Sequence, residues 1–148
     1  MTRIRRVLLA TDFSKTSRAA FATAVTIARS NRATLTILYV VVPIVPLLSQ
    51  RFIESATWDR IDTHARRRGQ QQLSKVAEKA TKSGIRVATL LLQGDPARQI
   101  VRTARSKRVD LVVVGTHGRR AFSRFLLGSV AQRVVMSAPC PVVTVRGK

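Results

Sequence analysis

Three of the seven glycines in this chain lie within one stretch, "VVVGTHGRRAFSRFLLGS", which ends at Ser129. Gly115 and Gly118 are three positions apart, and nine residues separate Gly118 from Gly128. Glycine has no Cβ, so a bound group can approach its backbone N–H closely. The N–H groups at the start of a helix favour an anion, and Ser129 adds a hydroxyl. The spacing indicates a phosphate cradle, although a turn followed by a helix cap explains the same residues.

Residues for metal or acid–base chemistry are sparse in this chain. Its two histidines, His64 and His117, and its single cysteine, Cys140, show no metal-ligand spacing. Asp12 is the only acid that we expect near the glycines. The sequence therefore offers neither a catalytic trio of Ser, His and acid nor a pair of carboxylates there. We therefore expect binding without appreciable turnover. Cys140 is interpreted as a buried reduced thiol, with a reactive thiol as the alternative.

Five continuous apolar runs predict strands at residues 6–10, 34–41, 86–92, 110–115 and 141–145. Continuous runs suit a parallel sheet that is covered on both faces. Helical signals lie between them, at 14–30, at about 51–83, and from Pro96 and Ser129 onward. The alternation predicts an α/β fold, a doubly wound five-stranded parallel sheet with helices on both faces. Ligands of such sheets lie at the carboxyl ends of strands where the winding reverses, here after strands one and four.

Composition limits the class of protein. The length of 148 residues suits one domain, 1–148, and 45% hydrophobic residues argue against disorder. The N-terminal apolar run stops after Ala10, which is too short for a signal peptide. The longest apolar tract, residues 35–48, contains Pro43 and Pro46 and is too short for a membrane span. We expect a cytoplasmic protein that does not enter membranes.

The stretch "DLVVVGTHGRRAFSRFLLGSVAQRVVMSAPCPVVTVR" resembles the signature C-terminal third of the universal stress protein family. "VLLATDFSKTSRAAF" is similar to the first strand and helix of that family, "LTILYVV" to its second strand, and "GDPARQIV" to the start of its third helix. The resemblance implies a Rossmann-like fold of the adenine nucleotide binding type. Family members that keep the glycine pattern bind ATP, so it also implies an ATP-binding protein that acts as a sensor or regulator in stress response.

The resemblance also implies roles for individual residues. Ala10, Asp12 and Val40 flank the adenine, and Val114 and Gly115 border the ribose. The phosphates are held by Gly118, Gly128, Ser129 and Val130, with Arg124 at a position where the family often has arginine. Asp12 is the candidate for Mg²⁺ bound with ATP. An N-cap role in the first helix, for which Ser14 is the other candidate, suits Asp12 nearly as well. Val114 and Ala121 depart from the common family pattern, which has methionine and glycine there.

Partners follow from the charge and from the last strand. The net charge of +20 is larger than one ATP site requires. Non-specific binding of nucleic acid or other polyanions through the basic surface is therefore the alternative function. Compositional drift toward arginine explains the same charge without any function. A third possible function, that of an adenylating enzyme with a similar sheet, ranks last. Such an enzyme would need its own phosphate loop after strand one, where this chain has "ATDFSKTS", which contains no glycine. The apolar last strand is predicted at a sheet edge, and family members commonly dimerise through it, so we expect a homodimer. The protein that responds to the bound nucleotide is unknown from the sequence.

Overall fold

The computed structural model describes residues 3–43, 55–116 and 127–147. Strands and helices alternate along these residues, and their bounds lie close to those predicted. The strands are β1 (Arg6–Ala10), β2 (Thr34–Val41), β3 (Arg86–Gln93), β4 (Leu111–Gly115) and β5 (Val142–Val145). The helices are α1 (Lys15–Asn31), α2 (Ser55–Thr81), α3 (Pro96–Ser106) and α4 (Ser129–Ser137).

All five strands are parallel and form one sheet in the order β3-β2-β1-β4-β5. The chain winds outward from β1 to β3, returns to β4 beside β1, and continues to β5. The winding therefore reverses between β1 and β4, as the sequence predicts. The last strand lies at one edge of the sheet, which is also as predicted, and β3 forms the other edge.

Two apolar clusters cover the two faces of the sheet. Val7, Leu9, Leu35 and Ile37 pack beneath α1 and α2, whereas alternate residues of the same strands, such as Leu8, pack beneath α3 and α4. Side chains alternate across a strand, so a strand that is covered on both faces is apolar at every position. This double cover explains the continuous apolar runs of the sequence.

Polar side chains begin two of the helices. Ser14 caps α1 by accepting a hydrogen bond from the N–H of Ser17, and Asp95 caps α3 by accepting from the N–H of Arg98 at 2.9 Å. Pro96 occupies the first turn of α3, where a missing N–H costs nothing. The predicted alternatives for the α1 cap were Ser14 and Asp12, and Ser14 takes that position.

Cys140 is half-buried beside the α3 and α4 cluster. Burial raises the pKa of its thiol, and the charge of Asp110 acts in the same direction. The neutral thiol is therefore the favoured form at neutral pH. None of the helices in the described ranges combines the length and the hydropathy needed to cross a membrane.

Candidate functional site

Apolar site residues converge where the winding of the sheet reverses. Ala10, Val40 and Val114 lie at the carboxyl ends of three neighbouring strands, and all belong to the cluster beneath α3 and α4. Val40 and Val114 are buried, while Ala10 is half-buried. Val130, in the first turn of α4, packs against the same cluster. The structure thus gathers four residues that are far apart in sequence on one face of the sheet.

The turn between β1 and α1 is built around the carboxylate of Asp12. Its Oδ1 accepts hydrogen bonds from the N–H of Ser14 at 2.9 Å and from the hydroxyl of Ser17 at 2.5 Å. The N–H of Asp12 in turn donates to Ser17 Oγ at 3.2 Å. Asp12 therefore stabilises the turn that places it at the carboxyl edge of the sheet. Sequence reasoning missed Ser17, which is buried although its type gives no signal of burial.

Phe13, next in the same turn, has a left-handed backbone with φ 62°. This conformation costs a residue with a Cβ about 1–2 kcal/mol, so the surroundings must hold it. The N–H of Phe13 donates to Thr11 Oγ1 at 3.1 Å, and the Phe13 ring packs on the Tyr39 ring with centroids 4.7 Å apart. Tyr39 in turn packs closely on Gly69 of α2, where a Cβ would lie 2.6 Å from the ring. Tyr39 of β2, which is itself backed by Gly69 of α2, thus fixes the turn that carries Asp12.

Gly115 ends β4, and its missing Cβ makes room for a helix. A Cβ at this position would lie 2.8 Å from Thr16 Cγ2 and 3.4 Å from the Thr16 backbone. The sequence suggested that this glycine leaves room for a bound group. The structure shows that Thr16 of α1 fills the space on that side, so close packing of α1 on β4 already requires the glycine.

Backbone hydrogen bonds join the end of β4 to the start of α4. The N–H of Gly128 donates to the carbonyl of Thr116 at 2.5 Å, and the N–H of Thr116 donates to the carbonyl of Val145 at 2.9 Å. These bonds fix the N-terminus of α4 beside the carboxyl edge of the sheet. The residues between them include Gly118 and Arg124, which the sequence predicts in the site and which lie outside the described residues.

The N-terminus of α4 differs in its cap from those of α1 and α3. Its N-cap residue is Gly128, which makes no side-chain hydrogen bond to the helix. The first intrahelical donor is Gln132, whose N–H reaches the carbonyl of Gly128 at 2.9 Å. The N–H groups of Ser129 and Val130 lie in the first turn, where a helix supplies no acceptor of its own. This end of α4 therefore presents peptide dipoles that favour an anion.

Gly128 has φ −58° and ψ 152°, a conformation open to any residue. The glycine is therefore not required by the backbone angles of the helix start. A side chain at an N-cap position generally lies beside the N–H groups of the first turn, which is the space that a bound anion would take. This position is thus suited to testing whether a ligand uses that space.

Metal binding by protein side chains alone finds no support in the described ranges. No three His, Cys, Asp or Glu side chains there come together as a metal site. Mg²⁺ commonly takes one or two carboxylates together with substrate phosphates and water. One carboxylate, that of Asp12, suits such an ion only when a phosphate ligand accompanies it.

Comparisons with known proteins extend these observations to a family. The sequence model of the Universal stress protein family matches residues 3–146. A universal stress protein of Methanocaldococcus jannaschii is 37% identical over 144 residues, which are 96% of this chain and 82% of that protein. The structure of the universal stress protein UspA from Lactobacillus plantarum is 32% identical with a TM-score of 0.77, and the match covers 99% of this chain and 100% of that one.

A third similar protein is the universal stress protein from Archaeoglobus fulgidus, solved in complex with dAMP. It is 21% identical with a TM-score of 0.67, and the match covers 97% of this chain and 99% of that one. At this identity the likeness concerns the fold. The family match over nearly all of the sequence, the 37% identical relative and the shared five-stranded parallel sheet agree, and the chain belongs to the universal stress protein family.

Proposed function

We propose that this chain is an ATP-binding universal stress protein, one domain over 1–148, that acts as a nucleotide-dependent sensor or regulator in stress response. The observation that carries the proposal is the N-terminus of α4, whose N-cap residue, Gly128, has no side chain to cap the helix and which is held beside the β1–β4 reversal of the sheet. Anions bind at such helix ends, and doubly wound sheets bind ligands at such reversals. The dAMP complex of the Archaeoglobus fulgidus relative supports an adenine nucleotide as the ligand class.

In this proposal the apolar residues hold the base and the α4 end holds the phosphates. Ala10 and Val40 flank the adenine together with Asp12, and Val114 and Gly115 border the ribose. The apolar surface formed by the first two suits a flat base, because its burial is favourable. The phosphate ligands are Gly118, Gly128, Ser129 and Val130, with Arg124 as a counter-charge.

Mg²⁺ enters this proposal only together with the ATP phosphates. Asp12 Oδ1 already accepts two hydrogen bonds, so the carboxylate is fixed in place before any cation arrives. Binding without turnover is the proposed mode, and a sensor needs only that the bound and empty states differ in shape or partner affinity. A calorimetric titration of ATP with and without Mg²⁺ tests the role of the cation.

The test of the site is a calorimetric titration of MgATP into nucleic-acid-free protein at moderate and at high salt. Gly128→Val keeps the net charge and an allowed backbone, and it fills the space before α4. Ala138→Val is the matched control, because Ala138 lies at the other end of α4 with similar backbone angles, φ −65° and ψ 142°. We expect one-site binding that persists at high salt, falls at least tenfold in Gly128→Val and survives in Ala138→Val.

The opposite pattern would refute the nucleotide site. If the heat disappears at high salt and is equal in all three proteins, ATP binds only as a polyanion on a basic surface. Thermal melting of each variant verifies that the loss in Gly128→Val does not come from unfolding.

A further inference from the structure

An open groove of about 610 Å³ runs between α3 and α4, on the outer side of these helices. Its polar lining comes from four arginines and two serines: Arg98, Arg102, Arg105, Arg133, Ser106 and Ser137. All six residues are exposed. The groove shares none of the candidate nucleotide residues.

Three of these arginines form no ion pair with the described residues. Arg133 forms a two-pronged ion pair with Asp95, with both N–O distances 2.9 Å. Arg98, Arg102 and Arg105 have no carboxylate within 4.0 Å among residues 3–43, 55–116 and 127–147. Neither α3 nor α4 contains an acidic residue. The groove therefore carries three arginines that form no ion pair with the described residues, and Arg98 interacts with the charge of Asp95 only at longer range.

The spacing of the three arginines is unfavourable for the helix itself. They follow at intervals of four and three residues, so they lie on one side of α3 and repel each other. Arg98 also lies in the first turn, where the helix dipole disfavours a cation. Arg105 lies in the last turn, where the dipole favours a cation, so helix stability explains Arg105 but not the neighbouring Arg98 and Arg102. An external anion would relieve the repulsion within the row.

The row matches an extended, evenly charged partner. Arg98 and Arg105 are seven positions apart, which is about 10 Å along the helix. One strand of duplex DNA rises ~3.4 Å along the duplex axis for each phosphate, so the row is as long as about three base-pair steps. Single-strand binders stack bases on aromatic side chains, and no aromatic residue lines this groove. The lining therefore favours the backbone of a duplex.

We propose that the groove between α3 and α4 binds the phosphate backbone of double-stranded DNA without reading its base sequence. Arg98, Arg102 and Arg105 contact the phosphates directly. Arg133 is committed to Asp95 and joins the two walls of the groove. This binding is separate from the proposed nucleotide site.

The test measures fluorescence anisotropy of two labelled 24-base-pair duplexes of unrelated sequence over a range of salt concentrations. The groove variant is Arg98→Gln, Arg102→Gln, Arg105→Gln. The matched control removes three exposed arginines of α2 that also have no carboxylate within 4.0 Å among the described residues, Arg60→Gln, Arg67→Gln, Arg68→Gln. Both triples lower the net charge from +20 by three, to +17.

Each phosphate contact contributes about 0.9 to the slope of log K against log salt. Loss of three contacts therefore makes the slope shallower by up to about 2.7, which is a several-hundred-fold weaker Kd at 0.1 M salt when the lines meet near 1 M. We expect this change in the groove triple, a change below about 1 in the α2 triple, and equal affinity for the two duplexes. Arg98→Lys, Arg102→Lys, Arg105→Lys keeps the charges and should keep the slope.

Four outcomes would overturn the proposal. Equal losses in the two glutamine triples would show that binding follows net charge and not the groove. A large difference between the two duplexes would show base reading. Absence of duplex binding would show that the groove does not bind DNA. Tighter binding to phosphatidylglycerol vesicles than to duplex, at equal phosphate concentration, would assign the groove to a membrane surface. Circular dichroism of each variant identifies a loss caused by unfolding. If the groove triple unfolds, the single variant Arg102→Gln decides, because it should make the slope shallower by about 0.9 while Arg67→Gln leaves it nearly unchanged.

Discussion

Gly115→Ala should destabilise the protein through a single contact with Thr16. The new Cβ would lie 2.8 Å from Thr16 Cγ2, closer than carbon atoms normally approach. Thr16 lies in the first turn of α1, and its β-branched side chain has few rotamers there. Overpacking of this kind costs about 1–3 kcal/mol. Replacing glycine also restricts the unfolded chain, which returns about 0.4–1 kcal/mol.

Thr16→Ser provides the decisive second mutation, because serine lacks the clashing methyl group and keeps the hydroxyl. In that background the nearest atoms to the Cβ of residue 115 are backbone atoms at 3.4 Å, which is ordinary contact. Gly115→Ala should then be neutral or slightly stabilising. The unfolded-chain contribution is the same in both backgrounds and cancels, so the predicted coupling energy between the two sites equals the overpacking cost of about 1–3 kcal/mol, within the range for residues in direct contact.

Urea and thermal unfolding of the wild type, the two single variants and the double variant measure this coupling. For a chain of this size each kcal/mol corresponds to about 2–4 °C in Tm. Additive effects would refute the reasoning, because the cost of alanine would then come from somewhere other than Thr16. The same four proteins test the role of Gly115 in ATP binding. If Gly115 serves packing alone, the double variant binds MgATP as well as wild type does.

Two further predictions concern the α3–α4 ion pair and the sheet edge. The hydrogen bond from Arg133, aided by the N–H of Arg98, lowers the pKa of Asp95. The ionised carboxylate therefore stabilises the folded protein above the unfolded pKa of about 3.9, and this stabilisation is lost as the pH falls through the lower folded value. Asp95→Asn keeps a capping oxygen, and we expect urea unfolding to show a loss below about 1 kcal/mol at pH 7, since the pair is exposed. This loss should shrink as the pH falls below about 3.9, and a loss that does not change with pH would contradict this. β5 lies at the sheet edge, where it can pair with a second copy of the chain. Light scattering should therefore give twice the 16.4 kDa chain mass. Salt should raise the fraction of dimer, because it screens the repulsion between the positive chains, and a monomer at every salt concentration would exclude the homodimer.

The fold was predictable because its signals are local. Each strand is a continuous apolar run, and Asp95 with Pro96 marks the start of α3 without ambiguity. The reversal of the winding between β1 and β4 then follows from the doubly wound pattern, and right-handed crossovers place helices on both faces of the sheet. Even so, the sequence left the ends of α2 open, because its long polar helix lacks a strong start signal.

The site was predictable only in outline, because its details depend on contacts between distant residues. The carboxyl ends of β1 and β4 could be placed from topology, and Gly128 from its position before an apolar helix. The contact of Gly115 with Thr16 joins residues 99 positions apart, and no local pattern reveals it. The left-handed Phe13 is equally invisible, since its support comes from Tyr39 and Gly69 on other elements.

Net charge alone cannot choose the surface that meets a polyanion. Helix α2 contains six Lys and Arg residues, Arg60, Arg66, Arg67, Arg68, Lys75 and Lys79, against three acids, so it also carries a positive excess. What distinguishes α3 is that its arginines line one groove and that neither wall of this groove contributes an acid within its helix. A polyanion that follows charge would bind both faces, whereas one that follows shape would use the groove. The matched arginine triples on α2 and α3 separate these two cases, because they differ in geometry and not in charge.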